Sequence, residues 1–103
     1  MKELPYKEFS ELRTNSMRLI DVREVHEFEV VHVPGAELFP LSQIQRGERP
    51  TEDEREIFII CRSGARSAFA ASLLEQEGFR ECTNISDGTV GAMMMGMDKL
   101  VRG

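Results

Sequence analysis

The sequence contains few of the residues that small proteins use for disulfide or metal cross-links. It has two cysteines, Cys61 and Cys82, and two histidines, His26 and His32. Two cysteines are too few for a disulfide scaffold or a four-cysteine zinc site. The four residues also lack chelating spacings such as C-x2-C or H-x3-H, which argues against a Cys2His2 site. We therefore predict neither a bound metal nor a cofactor.

Long apolar runs and a concentrated basic face are absent as well. No run approaches the roughly 18 apolar residues of a membrane span, and the first residues, MKELPYKEF, lack the apolar core of a secretory signal. The basic residues are scattered among acids, and the net charge is −5. A nucleic-acid binder needs a basic face to neutralise phosphates. We expect a cytoplasmic protein that binds neither membranes nor nucleic acid.

What remains is the composition of a globular domain. Apolar residues make up 41% of the chain and charged residues 30%, with no low-complexity run or internal repeat. A chain of 103 residues can bury roughly 60 to 65% of its unfolded surface, enough for a core without cross-links. We expect residues 1 to 103 to form one domain.

Strand-like and helix-like segments alternate along the sequence. Strands are predicted at residues 19 to 22, 57 to 60 and 82 to 85; the second, IFII, has the unbroken apolar pattern of a strand buried on both faces. Helices are predicted at residues 6 to 13, from residue 66 to a cap at Gly78, and at residues 90 to 97. Residues 24 to 28 suit a single turn of helix, and residues 39 to 44 suit a short strand end followed by a turn of helix. This alternation predicts an α/β fold with a parallel sheet.

Two apolar stripes identify the helix faces that we expect to meet the sheet. Phe69, Ala70, Leu73 and Leu74 recur at helical spacing after the central strand. The methionines at positions 93 to 95 and 97 suit the adaptable packing of a helix on a sheet better than a soft-metal site.

The segment between the central strand and the following helix reads CRSGAR, residues 61 to 66. Ligands of open parallel sheets bind beyond the carboxyl ends of the strands, which is where Cys61 falls. Gly64 allows a tight turn in which the amides of residues 62 to 66 face one point, and the start of the helix adds positive potential. Such a place favours a thiolate over a thiol. Cys61 is therefore the candidate nucleophile.

The side chains around Cys61 suit an anionic substrate. Arg62 and Arg66 carry fixed positive charge on forked donors and are expected to hold a substrate or leaving group, while Ser63, Gly64 and Ala65 supply amides. The alternative makes Cys61 a small buried residue that ends a strand. Packing alone does not call for two arginines and a glycine within six residues.

Three segments in order resemble the single-domain rhodanese family of thiosulfate sulfurtransferase-type domains. They are LIDVRE at residues 19 to 24, HVPGA at residues 32 to 36 and CRSGARS at residues 61 to 67, and with NISDG the likeness covers residues 4 to 96. The resemblance implies a small parallel sheet with helices on both faces. It also implies that Cys61 accepts a sulfane sulfur from a small anionic donor such as thiosulfate and passes it to cyanide or a thiol.

Other functions are compatible with parts of this pattern. A persulfide carrier or sulfide sensor would keep the cysteine but depend on a protein partner in a sulfur relay rather than on small-molecule turnover. A non-catalytic interaction module needs no nucleophile. Phosphatases that use a cysteine thiolate have C-x5-R to enclose a phosphate, whereas this chain has C-x4-R, a narrower loop better matched to a sulfur atom.

The remaining expectations concern residues near this loop. Asp21 ends a strand on the side of Cys61 and is either part of the site or scaffold, and the resemblance gives Arg23 a structural ion pair, with Glu27 as the candidate partner. His32 is expected to fix a turn, and Cys82 to be a core thiol rather than a resolving cysteine.

The chain departs from the family pattern near its end. It has Asp87 where the family commonly has glycine, and Ala92 where it commonly has tryptophan. We expect the methionines to refill the lost aromatic volume.

Overall fold

A computed structural model describes residues 1 to 96 and 100 to 102 of the chain. Five strands and five helices follow one another in alternation. The strands are β1 (Lys2–Leu4), β2 (Met17–Asp21), β3 (Glu37–Leu38), β4 (Glu56–Ile60) and β5 (Cys82–Ile85). The helices are α1 (Tyr6–Leu12), α2 (Val25–Val30), α3 (Leu41–Gln45), α4 (Ala65–Gln76) and α5 (Gly88–Met95). No helix in the described ranges is long and apolar enough to cross a membrane.

All five strands are parallel and belong to one sheet in the order β1-β5-β4-β2-β3. This confirms the predicted α/β fold. Strand β4 lies at the centre, with Ile60 paired to Asp21 of β2 and Ile59 to Asn84 of β5. The carboxyl ends of these three strands therefore meet at one edge of the sheet, as the sequence pattern required for a site after β4.

The unbroken apolar run of β4 serves two separate cores. Ile57 and Ile59 belong to the core under α3 and α4, while Phe58 and Ile60 belong to the core under α1 and α5. Successive residues of a strand point to opposite faces, so a strand covered on both sides needs apolar residues at every position. Helices thus cover both faces of the sheet, as expected.

Several details differ from the sequence expectations. Strands β1 and β3 were not predicted, because segments of two or three residues carry too little periodicity to stand out. Phe69 was expected in the core, but it is 53% exposed; within its stripe Ala70 and Leu74 are buried and Leu73 is partly buried. The helix at residues 90 to 97 begins earlier, at Gly88, and Met97 lies outside the described residues.

Candidate active site

Cys61 is the first residue after the central strand β4. Its side chain is 1% exposed and lies at the base of the loop formed by residues 61 to 66, which we call the Cys61 loop. The loop leads into helix α4, whose N-terminal end supplies unpaired amides and positive potential. The local sequence therefore places a thiol where negative charge is stabilised.

Gly64 turns the loop back on the sulfur. Its φ angle is 101°, in the left-handed region that favours glycine, and its amide donates to Cys61 Sγ at 3.1 Å. A side chain at this position would also be obstructed, because a Cβ atom would lie 2.3 Å from the carbonyl oxygen of Ser86. Both the backbone angle and the available space therefore require glycine here.

Ser67 adds a second donor to the sulfur. Its hydroxyl lies 3.2 Å from Cys61 Sγ and the residue is fully buried in the first turn of α4. The same hydroxyl lies 2.5 Å from Asn84 Oδ1 of β5. The Cys61 sulfur thus receives one donor from the loop backbone and one from a helix side chain.

Burial and hydrogen bonding act in opposite directions on the Cys61 thiol. Burial raises its pKa, whereas the Ser67 hydroxyl and the amides of Ser67, Gly64 and Ser63 lower it. The hydrogen bonds prevail, so the pKa of Cys61 lies below its ordinary value. The amides that act on the sulfur are thus those of Ser63, Gly64 and Ser67, whereas the sequence predicted the amides of residues 62 to 66.

Helix α5 holds the Cys61 loop from its other side. The Thr89 amide and hydroxyl both donate to the Cys61 carbonyl oxygen, at 2.9 and 3.0 Å, and the Val90 amide donates to the Arg62 carbonyl oxygen at 3.0 Å. Gly88 permits this approach, because a Cβ atom there would lie 2.4 Å from the same Arg62 oxygen. The loop carbonyls are thereby turned toward α5, and the sulfur is left to the donors of α4.

The two arginines of the loop have different surroundings. Arg62 is exposed and lines a cavity of about 290 Å³, together with Arg23, Glu27 and Met93 among other residues. Arg66 instead forms a two-pronged ion pair with Glu27 of α2, at 2.7 and 2.8 Å. Arg66 was expected to bind substrate, but its guanidinium tethers α4 to α2 in this structure.

Asp21 and Arg23 form a buried ion pair at the end of β2. Arg23 Nη2 lies 2.8 Å from Asp21 Oδ2 and also donates to the Val31 carbonyl oxygen at 2.8 Å. The expected pairing of Arg23 with Glu27 is therefore wrong, since Glu27 is taken by Arg66. Asp21 is fully buried, and its contacts here are those of a scaffold residue.

The other expected site residues are on the loop surface or outside the site. Ser63 and Ala65 are exposed, and of the two only Ser63 has an amide among those that lower the pKa of Cys61. His32 fixes a turn as expected, because its Nδ1 atom donates to the Phe28 carbonyl oxygen at 2.8 Å. Within the described ranges no three His, Cys, Asp or Glu side chains are grouped closely enough to hold a metal ion.

Cys82 lies far from Cys61 along the strand direction. It pairs with Ile57, four residues before Cys61, which corresponds to roughly 13 Å at ~3.3 Å per residue. Burial, and then the nearby Glu75 carboxylate, raise the pKa of Cys82 to about 11. The two cysteines therefore sit in opposite electrostatic environments, and the prediction of a core thiol agrees with this geometry.

The methionines of α5, which were expected to refill the lost volume, are not among the residues of the core that contains Ala92, although Met17 of β2 packs against it. Ala92 is buried in the core that contains Phe9 and Phe58, so aromatic side chains from α1 and β4 occupy this side of the sheet. Met94, by contrast, is 84% exposed. Asp87 accepts a hydrogen bond from the Tyr6 amide at 2.8 Å and so ties the start of α5 to the start of α1.

Sequence reasoning missed three residues of the site: Ser67, Asn84 and Thr89. A signal existed for Ser67, which shares one helical face with the buried residues Ala70, Ala71 and Leu74. A hydroxyl among apolar residues, six positions after the nucleophile, indicates a polar partner inside the fold. The residues next to Asn84 and Thr89 in the sequence do not indicate which side chains these two residues contact in the fold.

The fold agrees with comparisons to known proteins. Residues 6–93 match the model of the rhodanese-like domain, and the chain belongs to this family. It aligns over its whole length with a solved rhodanese-like domain protein of Staphylococcus aureus, with 25% identity, a TM-score of 0.83 and 99% of that chain covered.

Two curated relatives have names that refer to sulfur chemistry. The chain is 37% identical over 73 residues to YrkF of Bacillus subtilis, which is named as a candidate sulfur carrier protein; the match covers 71% of this chain and 40% of YrkF. It is 31% identical over 77 residues to a sulfurtransferase of Allochromatium vinosum, and this match covers 75% of the chain and 72% of that protein. The chain thus spans well under half of YrkF.

Proposed function

We propose that this protein transfers sulfane sulfur through a persulfide on Cys61, with thiosulfate or a similar anion as the donor. The observation that carries the proposal is the position of Cys61 Sγ, which receives donors from Gly64 and Ser67 at the start of α4. An anionic sulfur is stabilised there before and after it acquires a second sulfur atom. The names of the two sulfur-related relatives support the same chemistry.

The reaction divides into two balanced displacements at sulfur. The Cys61 thiolate attacks the outer sulfur of thiosulfate, a bond forms between the two sulfurs, and the bond to the sulfonate sulfur breaks, so sulfite leaves with its electron pair. Cyanide or an acceptor thiolate then attacks the terminal sulfur of the persulfide. Cys61 leaves as a thiolate, and the acceptor becomes thiocyanate or a new persulfide. Neither step requires an oxidant or a reductant.

Arg62 is the better placed of the two loop arginines for binding the donor. It is exposed on the wall of the 290 Å³ cavity, and within the described part of the chain it makes no ion pair. A fixed cation next to the loop would hold the sulfonate of thiosulfate while its outer sulfur meets Cys61. Arg66 would act through its pair with Glu27, which keeps α2 against the start of α4.

The same contacts argue against phosphatase chemistry. A C-x5-R loop binds phosphate oxygens with its arginine, but the Arg66 guanidinium here directs two of its donors to the Glu27 carboxylate. The loop is also one residue shorter. Sulfur transfer requires stabilisation of one sulfur atom rather than of three phosphate oxygens, and the donors around Cys61 Sγ fit that smaller demand.

The test combines turnover with detection of the intermediate. Purified protein given thiosulfate and cyanide is expected to release thiocyanate, and protein given thiosulfate alone is expected to gain one sulfur atom on Cys61 by mass spectrometry. Cys61→Ser should lose both, whereas Cys82→Ser is the matched control and should keep both. A persulfide with negligible turnover would favour the carrier role suggested by the name of YrkF. Absence of any persulfide on Cys61 would overturn the proposal.

A further inference from the structure

A chain of buried polar side chains joins the Cys61 sulfur to the edge strand β1. The Ser67 hydroxyl lies within reach of both Cys61 Sγ and Asn84 Oδ1, at 3.2 and 2.5 Å. Asn84 Nδ2 lies 2.8 Å from a carboxylate oxygen of Glu3 and 3.1 Å from the Gly64 carbonyl oxygen. Ser67 and Asn84 are both almost completely buried, so bulk water does not replace these partners.

The orientation of the Asn84 amide is determined by its neighbours. The Glu3 carboxylate and the Gly64 carbonyl are both acceptors, so each requires a donor from Asn84. The amide nitrogen must therefore face them, and the amide oxygen must face Ser67. Asn84 consequently offers Ser67 an acceptor and no donor.

Ser67 has one hydroxyl proton for two acceptors. While Cys61 is a thiol, its S–H group can donate to Ser67 Oγ, and the Ser67 hydroxyl can donate to Asn84. Once Cys61 is a thiolate, its sulfur needs the Ser67 proton, and Asn84 Oδ1 must then give up its donor inside the protein. A buried acceptor without a donor is unfavourable, so Asn84 opposes the charged form of the sulfur.

We propose that Asn84, oriented by Glu3, is a positioning residue that competes with the Cys61 sulfur for the Ser67 proton and thereby limits how readily the site holds an anionic sulfur. Glu3 strengthens this competition, because donation from Nδ2 to a carboxylate makes the amide oxygen a better acceptor. The inference rests on the proposed function of Cys61, but it concerns the free thiol and can be tested without any transfer reaction.

Charged side chains from several elements lie around the Cys61 loop. The variants described below leave all of them unchanged, apart from Glu3→Gln. They lie on the loop, at the end of β2, on α4 and α2, and on β1 behind Asn84. These groups are Arg62, Asp21, Arg23, Arg66, Glu27 and Glu3. Differences among the variants of Ser67 and Asn84 therefore report the hydrogen-bond chain.

The test measures the Cys61 thiol in a Cys82→Ala background, by the ultraviolet absorbance of the thiolate against pH and by the rate of reaction with iodoacetamide. Ser67→Ala removes the donor, so the pKa rises and the rate at neutral pH falls about tenfold. Asn84→Leu removes the competing acceptor for Ser67, together with the Nδ2 donor to Glu3 and Gly64, so the pKa falls and the rate rises severalfold. The two changes thus act in opposite directions.

The double variant separates this mechanism from a structural role. In the Ser67→Ala background there is no proton to compete for, so adding Asn84→Leu should leave the titration midpoint unchanged. A rise in pKa for Asn84→Leu alone, no change for it, or an effect that persists in the Ser67→Ala background would each overturn the inference.

Glu3→Gln provides a second route in case Asn84→Leu does not fold. Glu3 lies on an exposed edge strand, so this change is tolerated more readily, and it should lower the pKa of Cys61 by less than Asn84→Leu does. If Glu3→Gln acted only by removing a negative charge, it would also lower the pKa of Cys61, but it would do so in the Ser67→Ala background as well. A lowered pKa in that background would overturn the inference. Failure of the wild-type protein to form a persulfide would instead refute the proposed function.

Discussion

The Cys61 carbonyl oxygen accepts two hydrogen bonds from Thr89, one from its amide at 2.9 Å and one from its hydroxyl at 3.0 Å. Thr89 lies in the first turn of α5. Cys61 is therefore held by two helices, since α4 supplies donors to its sulfur and α5 supplies donors to its backbone oxygen.

Thr89→Val removes the hydroxyl bond to Cys61 and keeps the amide bond and the side-chain shape. We expect the free energy of unfolding to fall by about 1 kcal/mol and persulfide transfer to slow severalfold, because the loop loses one of its three hydrogen bonds to α5. Denaturant unfolding and thiocyanate release measure the two effects. Thr83→Val in β5 makes the same chemical change away from the loop and should leave transfer unchanged. Equal transfer rates for Thr89→Val and the wild type would contradict the anchoring role.

Gly64→Ala and Gly78→Ala form a matched pair. Both glycines have a positive φ angle, 101° and 96°, but only at Gly64 does a Cβ atom meet backbone, 2.3 Å from the Ser86 oxygen. Gly78→Ala should cost about 1 to 2 kcal/mol of stability and leave transfer intact. Gly64→Ala should cost more and abolish transfer, because the amide that faces Cys61 Sγ is displaced. Similar transfer by both variants would show that the turn at Gly64 is not required.

Cys82 should be unreactive although it is as buried as Cys61. The pKa of Cys82 is raised to about 11, whereas that of Cys61 is lowered. At neutral pH we expect alkylation of the native protein to label Cys61 first, as mass spectrometry of peptides would show. Mild oxidation of the native protein should yield no bond between the two sulfurs. Detection of a Cys61–Cys82 disulfide in folded protein would refute the assigned register.

The pair of Glu27 and Arg66 predicts a pH-dependent loss of stability. The hydrogen bonds from Arg66 lower the pKa of Glu27 to about 2, below its value of 4.5 in an unpaired state. The folded state therefore binds this proton more weakly than the unfolded state, so the pair stabilises the protein above pH 4.5 and ceases to do so as the pH falls toward 2.

Glu27→Gln tests this linkage. Because both side chains are partly exposed, the free energy of unfolding of the variant should be about 1 kcal/mol lower than that of the wild type near neutral pH. Near pH 2 the two proteins should be almost equally stable, because Glu27 is then becoming protonated. Urea unfolding at several pH values measures the difference. Asp53→Asn is the control, since the pKa of Asp53 is also lowered to about 2, by Arg55, in a pair that is more exposed. If Glu27→Gln lowered the free energy of unfolding by the same amount at every pH, the linkage would be excluded.

The central strand and the cysteine loop were predictable from sequence because their causes are local. An unbroken apolar run such as IFII suits only a strand covered on both faces, and a Cys-x2-Gly turn before a helical pattern needs no distant partner to be recognised. The fold class follows from the alternation of such segments. Strands of two and three residues at the sheet edges did not show this signal.

The contacts that were missed or misassigned depend on residues far apart in the chain. Arg66 could pair with any of several acidic residues, and only the fold brings Glu27, 39 positions away, to its guanidinium. Ser67 likewise contacts both Cys61 and Asn84. These contacts depend on the register of β4 against β5, which the sequence does not give. Phe69 shows the reverse case, because its helical spacing predicted a core position, whereas the residue is 53% exposed.

Because Thr89 and Val90 anchor the Cys61 loop from 28 positions further along the chain, the chemical reactivity of the cysteine belongs to the complete domain. If α5 detached, the carbonyls of residues 61 and 62 would be free to turn inward, and the sulfur would revert to an ordinary thiol. The titration of the Cys61 thiol would therefore report whether α5 is packed against the loop. A molecule in which only α5 had detached would lose the reactivity of Cys61 while its β-sheet was still folded.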